Sequence, residues 1–104
     1  MVYVLKELNK EEFNSVMRGN VDLIILLYKN GDAASTLALQ AFKEVDSLYA
    51  KPFDTYIVDI KSEPEICSVF DINTVPEYIS IKNNKIYKRS TNMLYTNQIL
   101  DLLK

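Results

Sequence analysis

The chain has 104 residues, of which 48% are hydrophobic and 25% are charged, and its net charge is -2 at pH 7. This is the size and composition of one ordinary globular domain, which excludes disordered and fibrous architectures. Positive and negative charges are mixed along the chain, so there is no basic field to hold a phosphate backbone. We therefore expect no nucleic-acid partner.

Membrane and secretory signals are absent from the sequence. The longest apolar run covers residues 23–28 and is far shorter than the roughly 20 residues that span a bilayer. The first residues lack the basic and apolar regions of a signal peptide. We expect a cytoplasmic protein with no membrane partner.

Cysteine and histidine usage narrows the chemistry further. The single cysteine, Cys67, excludes a disulfide within the chain. The absence of histidine removes the commonest general base and the commonest metal ligand. We expect neither a metal nor a cofactor.

The first half of the chain alternates predicted strands and helices. A short β-type run covers residues 2–5, and Asn9 predicts the N-cap of a helix over residues 10–17. Residues 21–28 are nearly all apolar, which is typical of a central strand buried on both faces. Asp32 then predicts the N-cap of a long helix that ends near residue 50.

The second half continues the alternation and closes with a hairpin. Residues 55–59 read as a strand, and Pro64 opens a helix whose predicted buried face comprises Ile66, Cys67, Val69 and Phe70. After a loop that ends at Pro76, strands are predicted over residues 77–82 and 85–89, joined by an Asn-Asn turn. Thr96 or Asn97 is the expected cap of a final helix through residue 103.

The resulting order, β-α-β-α-β-α-β-β-α, predicts an α/β fold with a mixed central β-sheet flanked by helices on both faces. No linker or repeat interrupts the pattern, so residues 1–104 are expected to form a single domain.

Three features of the second half resemble one family. Val75-Pro76 precedes a predicted strand, a two-residue turn and a second predicted strand. Asn92 follows, and asparagine is the residue after glycine that best tolerates positive φ. In this order they resemble the thioredoxin family, with its cis-proline loop, its hairpin and the glycine that usually follows. The resemblance covers nearly the whole chain and implies the thioredoxin fold.

The departures from the family concern its chemistry. Where a thioredoxin carries Trp-Cys-Gly-Pro-Cys, this chain has Gly31-Asp32-Ala33-Ala34-Ser35. Thiol-disulfide exchange needs a thiolate at the helix N-terminus and a second, resolving thiol, and both are missing. The family's buried acid and lysine correspond to Leu26 and Ile57, both aliphatic, and its first aromatic of the motif corresponds to Tyr28.

The resemblance therefore implies a redox-inactive binding module. In the family, the backbone of the cis-proline loop pairs with an extended substrate segment, and that contact needs no thiol. We expect a protein or an extended peptide as the partner, bound in what we call the cis-proline groove. Its predicted residues are Tyr28, Gly31, Asp32, Ala33, Ala34, Val75, Pro76, Asn92 and Met93.

Several alternatives stay open at this point. The chain resembles a thiol-disulfide oxidoreductase whose cysteines were replaced by design or by drift, although Leu26 and Ile57 favour the binding module. A structural subunit of an oligomer, such as a homodimer, would use Cys67 and the patch at residues 93–95. Cys67 is a candidate redox or dimer-forming thiol, or a small buried hydrophobe. Asp32 and Ser35 are a candidate catalytic pair, or a helix cap.

Overall fold

The computed structural model describes residues 5–48, 53–91 and 93–104, and the side chains up to residue 46 in the first of these ranges. The strand predicted over residues 2–5 lies outside the described residues except for Leu5, which is not in a strand. The segment that follows is held to the sheet. The Leu8 N–H donates to the Ile57 carbonyl (2.9 Å), and the Ile57 N–H donates to the Lys6 carbonyl (2.9 Å).

The described ranges contain four strands, four α-helices and a final 3-10 turn. In chain order these are α1 (Lys10–Arg18), β1 (Leu23–Tyr28), α2 (Ala33–Leu48), β2 (Asp54–Asp59), α3 (Pro64–Phe70), β3 (Glu77–Lys82), β4 (Lys85–Ser90), α4 (Thr96–Leu100) and the 3-10 turn (Asp101–Leu103). None of these helices is long and apolar enough to cross a membrane.

The predicted helix starts are mostly confirmed. Asn9 caps α1 through its side chain, whose Oδ1 accepts from the Glu12 N–H at 2.8 Å. The start of α4 was predicted one or two residues too late. Tyr95 is its N-cap, and the Tyr95 N–H donates to Gln98 Oε1 at 2.8 Å.

The four strands form one mixed sheet in the order β2-β1-β3-β4. β1 runs parallel to β2 and antiparallel to β3, and β4 continues the sheet antiparallel to β3. The predicted mixed sheet is therefore confirmed. Asn83 and Asn84, at φ 54° and 64°, make the hairpin turn, because asparagine tolerates the left-handed backbone that such a turn requires.

Alternate residues of β1 enter two separate cores. Ile24, Leu26 and Tyr28 pack with side chains of α2 and α4, whereas Leu23, Ile25 and Leu27 pack with side chains of α1 and α3. Since successive side chains of a strand point to opposite faces, this sorting places helices on both sides of the sheet. It also explains why all six residues of β1 are buried.

The sheet register gathers four connections at one end of the molecule. Tyr28, the last residue of β1, pairs with Asp59 at the end of β2. Leu27 pairs with Glu77 at the start of β3, and Tyr78 pairs with Ser90 at the end of β4. Four connecting segments therefore leave or enter the sheet at this same end of its strands, where open α/β sheets carry their sites. They are residues 29–32, 60–63, 71–76 and 91–95.

Candidate functional site

The first component of the site is the turn that joins β1 to α2. The Asp32 N–H donates to the Lys29 carbonyl at 3.1 Å, and Gly31 has a φ of 87°, which only glycine adopts without strain. Asp32 then caps α2, because its Oδ2 accepts from the Ser35 N–H at 2.9 Å. The exposed methyl groups of Ala33 and Ala34 follow in the first helical turn.

The hydrogen bonds of Asp32 and Ser35 are those of a helix cap. The Asp32 carboxylate bonds the backbone of Ser35, while the Ser35 hydroxyl oxygen accepts from the Lys29 N–H at 3.1 Å. Ser35 is fully buried. A nucleophile needs a base within reach of its own proton, and the Asp32 carboxylate makes no bond to that hydroxyl. The capping interpretation of this pair therefore holds.

Beneath the turn lies an apolar layer. Leu26 pairs directly with Ile57 on β2 and with Tyr78 on β3, and all three belong to one buried cluster. Leu26 and Ile57 are 0% and 8% exposed. Burial raises the pKa of the Tyr78 phenol, so this side chain is neutral as well. No group in this trio exchanges a proton near neutral pH.

Tyr28 supports the turn from below and offers little surface to a partner. Its side chain is 7% exposed and belongs to the same cluster, and its hydroxyl donates to Glu7 Oε1 at 3.1 Å. Burial, followed by the contact with the Glu7 carboxylate, raises the pKa of Tyr28 to about 12. Like Pro76, it is therefore a buried member of the predicted groove.

The second component is the loop that ends at Pro76. The Val75–Pro76 peptide bond is cis, Pro76 is buried, Val75 is half-buried and Thr74 is exposed. Within the described residues, no other backbone group bonds the N–H or carbonyl of Thr74 or Val75. As far as the described residues show, the loop thus presents unbonded backbone donors and acceptors at the end of the sheet that also carries the Asp32 turn.

The third component is the segment between β4 and α4. Met93 is 40% exposed and Tyr95 is 72% exposed, so both offer apolar surface. Asn92 lies outside the described residues. Turn 29–32, loop 71–76 and Met93 are brought to the same end of the sheet by the strand register.

Cys67 lines an apolar pocket beside the loop. The pocket has a volume of about 220 Å³. Its walls are Ile60, Pro64, Cys67, Ile72, Asn73, Thr74 and Val75. The Cys67 Sγ lies 3.9 Å from the Ile60 carbonyl oxygen, and burial raises the pKa of its thiol. Because the thiolate is the reactive form, this thiol is a poor substitute for the missing pair.

Sequence reasoning missed a polar cleft that the same loop also lines. The cleft has a volume of about 660 Å³ and is lined by Asp71, Asn73, Thr74, Glu77, Arg89, Ser90 and Thr91. Glu77 is only 3% exposed, and its Oε2 accepts from both Nε and Nη2 of Arg89 at 2.5 Å. Such a charge-assisted pair satisfies a carboxylate that would otherwise be buried alone.

The hairpin register explains why this pair was missed. Ile79 pairs with Arg89, and Glu77 lies two residues before Ile79 on the same face of the sheet. The resulting diagonal contact depends on a register shift at Ser80 and Ile81. The local sequence contains no signal that predicts this register shift.

Of the comparisons with known proteins, the one with solved structures supports the fold. No family model matches the sequence, and no curated protein matches it. Among solved structures, chloroplastic thioredoxin z aligns with a TM-score of 0.83 over 99% of this chain and 94% of its own, at 15% sequence identity. The chain therefore has a thioredoxin-like fold, as the sequence resemblance implied.

Proposed function

We propose that this chain is a redox-inactive, thioredoxin-like binding module that holds an extended segment of a partner protein in the cis-proline groove. The observation that carries the proposal is the backbone of Thr74 and Val75, which no backbone group of the described residues bonds, at the same end of the sheet as a helix start that has no thiol. An extended peptide gains affinity from main-chain hydrogen bonds of this kind.

Redox inactivity rests on the absent pair and on what lies beneath it. Cys67 is the only cysteine of the chain, and burial raises the pKa of its thiol. Leu26 and Ile57 offer no proton acceptor or donor under the turn. The alternative of an oxidoreductase would require two thiols, and also a proton route that these side chains do not provide.

The exposed edge of the sheet at β4 is a poor alternative binding site for an extended segment. β4 is one of the two outer strands of the described sheet and would be a second place for an extended segment to pair, whereas the other, β2, is bonded by Lys6 and Leu8. It carries Lys85, Lys88 and Arg89, and its pairing with β3 is irregular opposite Ser80 and Ile81. Charged residues and bulges are the usual means by which proteins block an exposed edge. The loop at Thr74 and Val75 has neither feature.

Recognition of a protein target is consistent with what a structural neighbour does. The crystal structure of chloroplastic thioredoxin z defines a novel type-specific target recognition in that protein. At 15% identity that property is not transferred by similarity, and it supports the proposal only in that a protein of this fold recognises a target. We propose a protein partner and no nucleic acid.

The test is selection from a phage-displayed library of random linear peptides. Wild type is expected to enrich a set of peptides that Val75→Asp no longer binds. A carboxylate at this position repels the backbone carbonyls of the peptide and keeps water in the groove. Met93→Asp should weaken the same peptides. Val69→Asp is the matched control, since Val69 is 64% exposed on α3 and lines neither the pocket nor the cleft.

Thermal unfolding of each variant shows whether the fold is intact. The proposal predicts near-wild-type melting for Val75→Asp, since Val75 is only half-buried, together with loss of peptide binding. Equal binding by wild type, Val75→Asp and Val69→Asp would contradict it.

A further inference from the structure

The loop at residues 73–75 borders two cavities of opposite character. Asn73 and Thr74 line both the apolar pocket and the polar cleft, so the same short backbone segment forms part of the wall of each cavity. This arrangement matters for any extended chain that pairs with Thr74 and Val75, because successive side chains of such a chain point to opposite sides.

The apolar pocket is suited to one aliphatic side chain. Apart from the loop itself, its lining consists of Ile60, Pro64, Cys67 and Ile72, and no lining side chain is charged. Its volume of about 220 Å³ exceeds the ~150 Å³ of an engineered apolar cavity that accepts benzene. A leucine or isoleucine side chain therefore fits, and its burial would be favourable.

The polar cleft is suited to a cationic side chain. Its charged lining residues are Asp71, Glu77 and Arg89, two carboxylates against one guanidinium. Arg89 already bonds Glu77, which leaves the exposed carboxylate of Asp71 to attract a ligand. An apolar side chain there would cover the Glu77–Arg89 pair without satisfying the groups it removes from water.

We propose that the loop at residues 73–75, with the two cavities it lines, selects an extended segment in which a large aliphatic residue is directly followed or preceded by lysine or arginine. The aliphatic side chain enters the apolar pocket and the basic side chain enters the polar cleft. This inference rests on the proposed function and adds to it the chemical class of the partner segment.

The experiment analyses the composition of the peptides that wild type selects and Val75→Asp loses. Adjacent aliphatic and basic residues are expected to be enriched in them. For a selected peptide made synthetically, replacing the aliphatic residue by alanine should weaken binding about tenfold. Replacing the basic residue by glutamate should weaken it about threefold or more, as expected of a partly exposed charge pair.

Two variants assign each preference to its cavity. Cys67→Leu fills the apolar pocket and is expected to abolish the aliphatic preference while retaining the basic one. Cys67→Ala is its control, since it leaves the pocket apolar and open. Asp71→Asn removes one carboxylate from the cleft and is expected to abolish the basic preference alone. Asparagine keeps the left-handed backbone of Asp71 (φ 53°), and Asp101→Asn is the control at an exposed carboxylate far from the loop.

The outcomes separate this inference from the proposed function. Peptides that depend on Val75 but show no side-chain preference, or whose preferences ignore Asp71→Asn and Cys67→Leu, would overturn the inference and leave the binding module intact. If no selected peptide depends on Val75, both fail. Because the two cavities are tested by separate variants, loss of folding in one still leaves the other arm decisive.

Discussion

Leu26 and Ile57 are direct partners across the parallel strands β1 and β2. Both are buried in the core cluster that includes side chains of α2, the helix that Asp32 caps. The resemblance to thioredoxins implies an acid and a lysine at these two positions. Here they form a continuous apolar contact with Tyr78. The layer beneath the groove therefore contributes to packing and provides no proton route.

The apolar character of this layer predicts a strong, pH-dependent penalty for Leu26→Asp. An unpaired carboxylate at a position that is 0% exposed should cost about 3–5 kcal/mol of unfolding free energy near pH 7. Burial raises the pKa of such a carboxyl, so below the unfolded pKa of about 3.9 only the pH-independent cost of lost packing and a buried polar group remains, and the penalty grows as pH rises above that value. Urea unfolding across this range measures the effect.

Leu26→Asn is the matched control for that experiment. It is polar and similar in size to aspartate but does not titrate, so its cost should be the same at acidic and neutral pH. An equal penalty for Leu26→Asp at both pH values would show that the site tolerates the charge, contrary to the packing described.

The helix cap predicts a moderate loss of stability for Asp32→Ala. The lost hydrogen bond from the Ser35 N–H should cost about 1 kcal/mol, seen as a lower urea midpoint with an unchanged slope. Asp32→Asn should retain most of the stability because its side-chain oxygen still accepts this bond. If alanine and asparagine behave alike, the cap contributes nothing.

Introducing two thiols at the start of α2 should not give the chain the disulfide-reducing activity of a thioredoxin. The double substitution Asp32→Cys plus Ser35→Cys is expected to fold but to reduce insulin disulfides at least about tenfold more slowly than a thioredoxin assayed alongside, because positioned acid-base groups contribute roughly that much or more. Insulin turbidity with dithiothreitol measures it. Reduction at the rate of the thioredoxin would mean that the fold still supports thiol-disulfide exchange. Recent or engineered replacement of the two cysteines would then be the better explanation.

Cys67 is expected to alkylate slowly. Burial raises the pKa of its thiol, so the rate with iodoacetamide should still be rising at pH values where an exposed thiol has reached its plateau. The combination Cys67→Ser plus Ser68→Cys moves the single thiol to an exposed neighbouring position and should react about tenfold faster near pH 8. Equal rates for the two proteins would contradict the half-buried environment of Cys67.

Periodicity predicted the buried strand and the helix starts well, because β1 is covered on both faces and Asn9 and Asp32 cap through their own side chains. It failed where exposure depends on tertiary neighbours. Val69 belongs to the predicted buried face of α3, yet it is 64% exposed, since no described element packs over it.

The candidate site was predictable only in part for the same reason. Val75-Pro76 and the Asp32 turn are local signals that a single sequence carries. The polar cleft depends on the register that brings Glu77 to Arg89, and the apolar pocket depends on how Ile60 and Cys67 meet the loop. Both are tertiary relationships between segments that are separated in the chain.

The most direct test of the account is amide NMR of the wild-type protein titrated with a peptide selected from the library. The account predicts that the amides of Thr74 and Val75 shift most, together with those of residues 31–34 and 93, and that the Val75 amide becomes protected from exchange with solvent. Largest shifts along β4 (Lys85–Ser90) with Thr74 and Val75 unchanged would place the binding surface elsewhere and contradict the central claim.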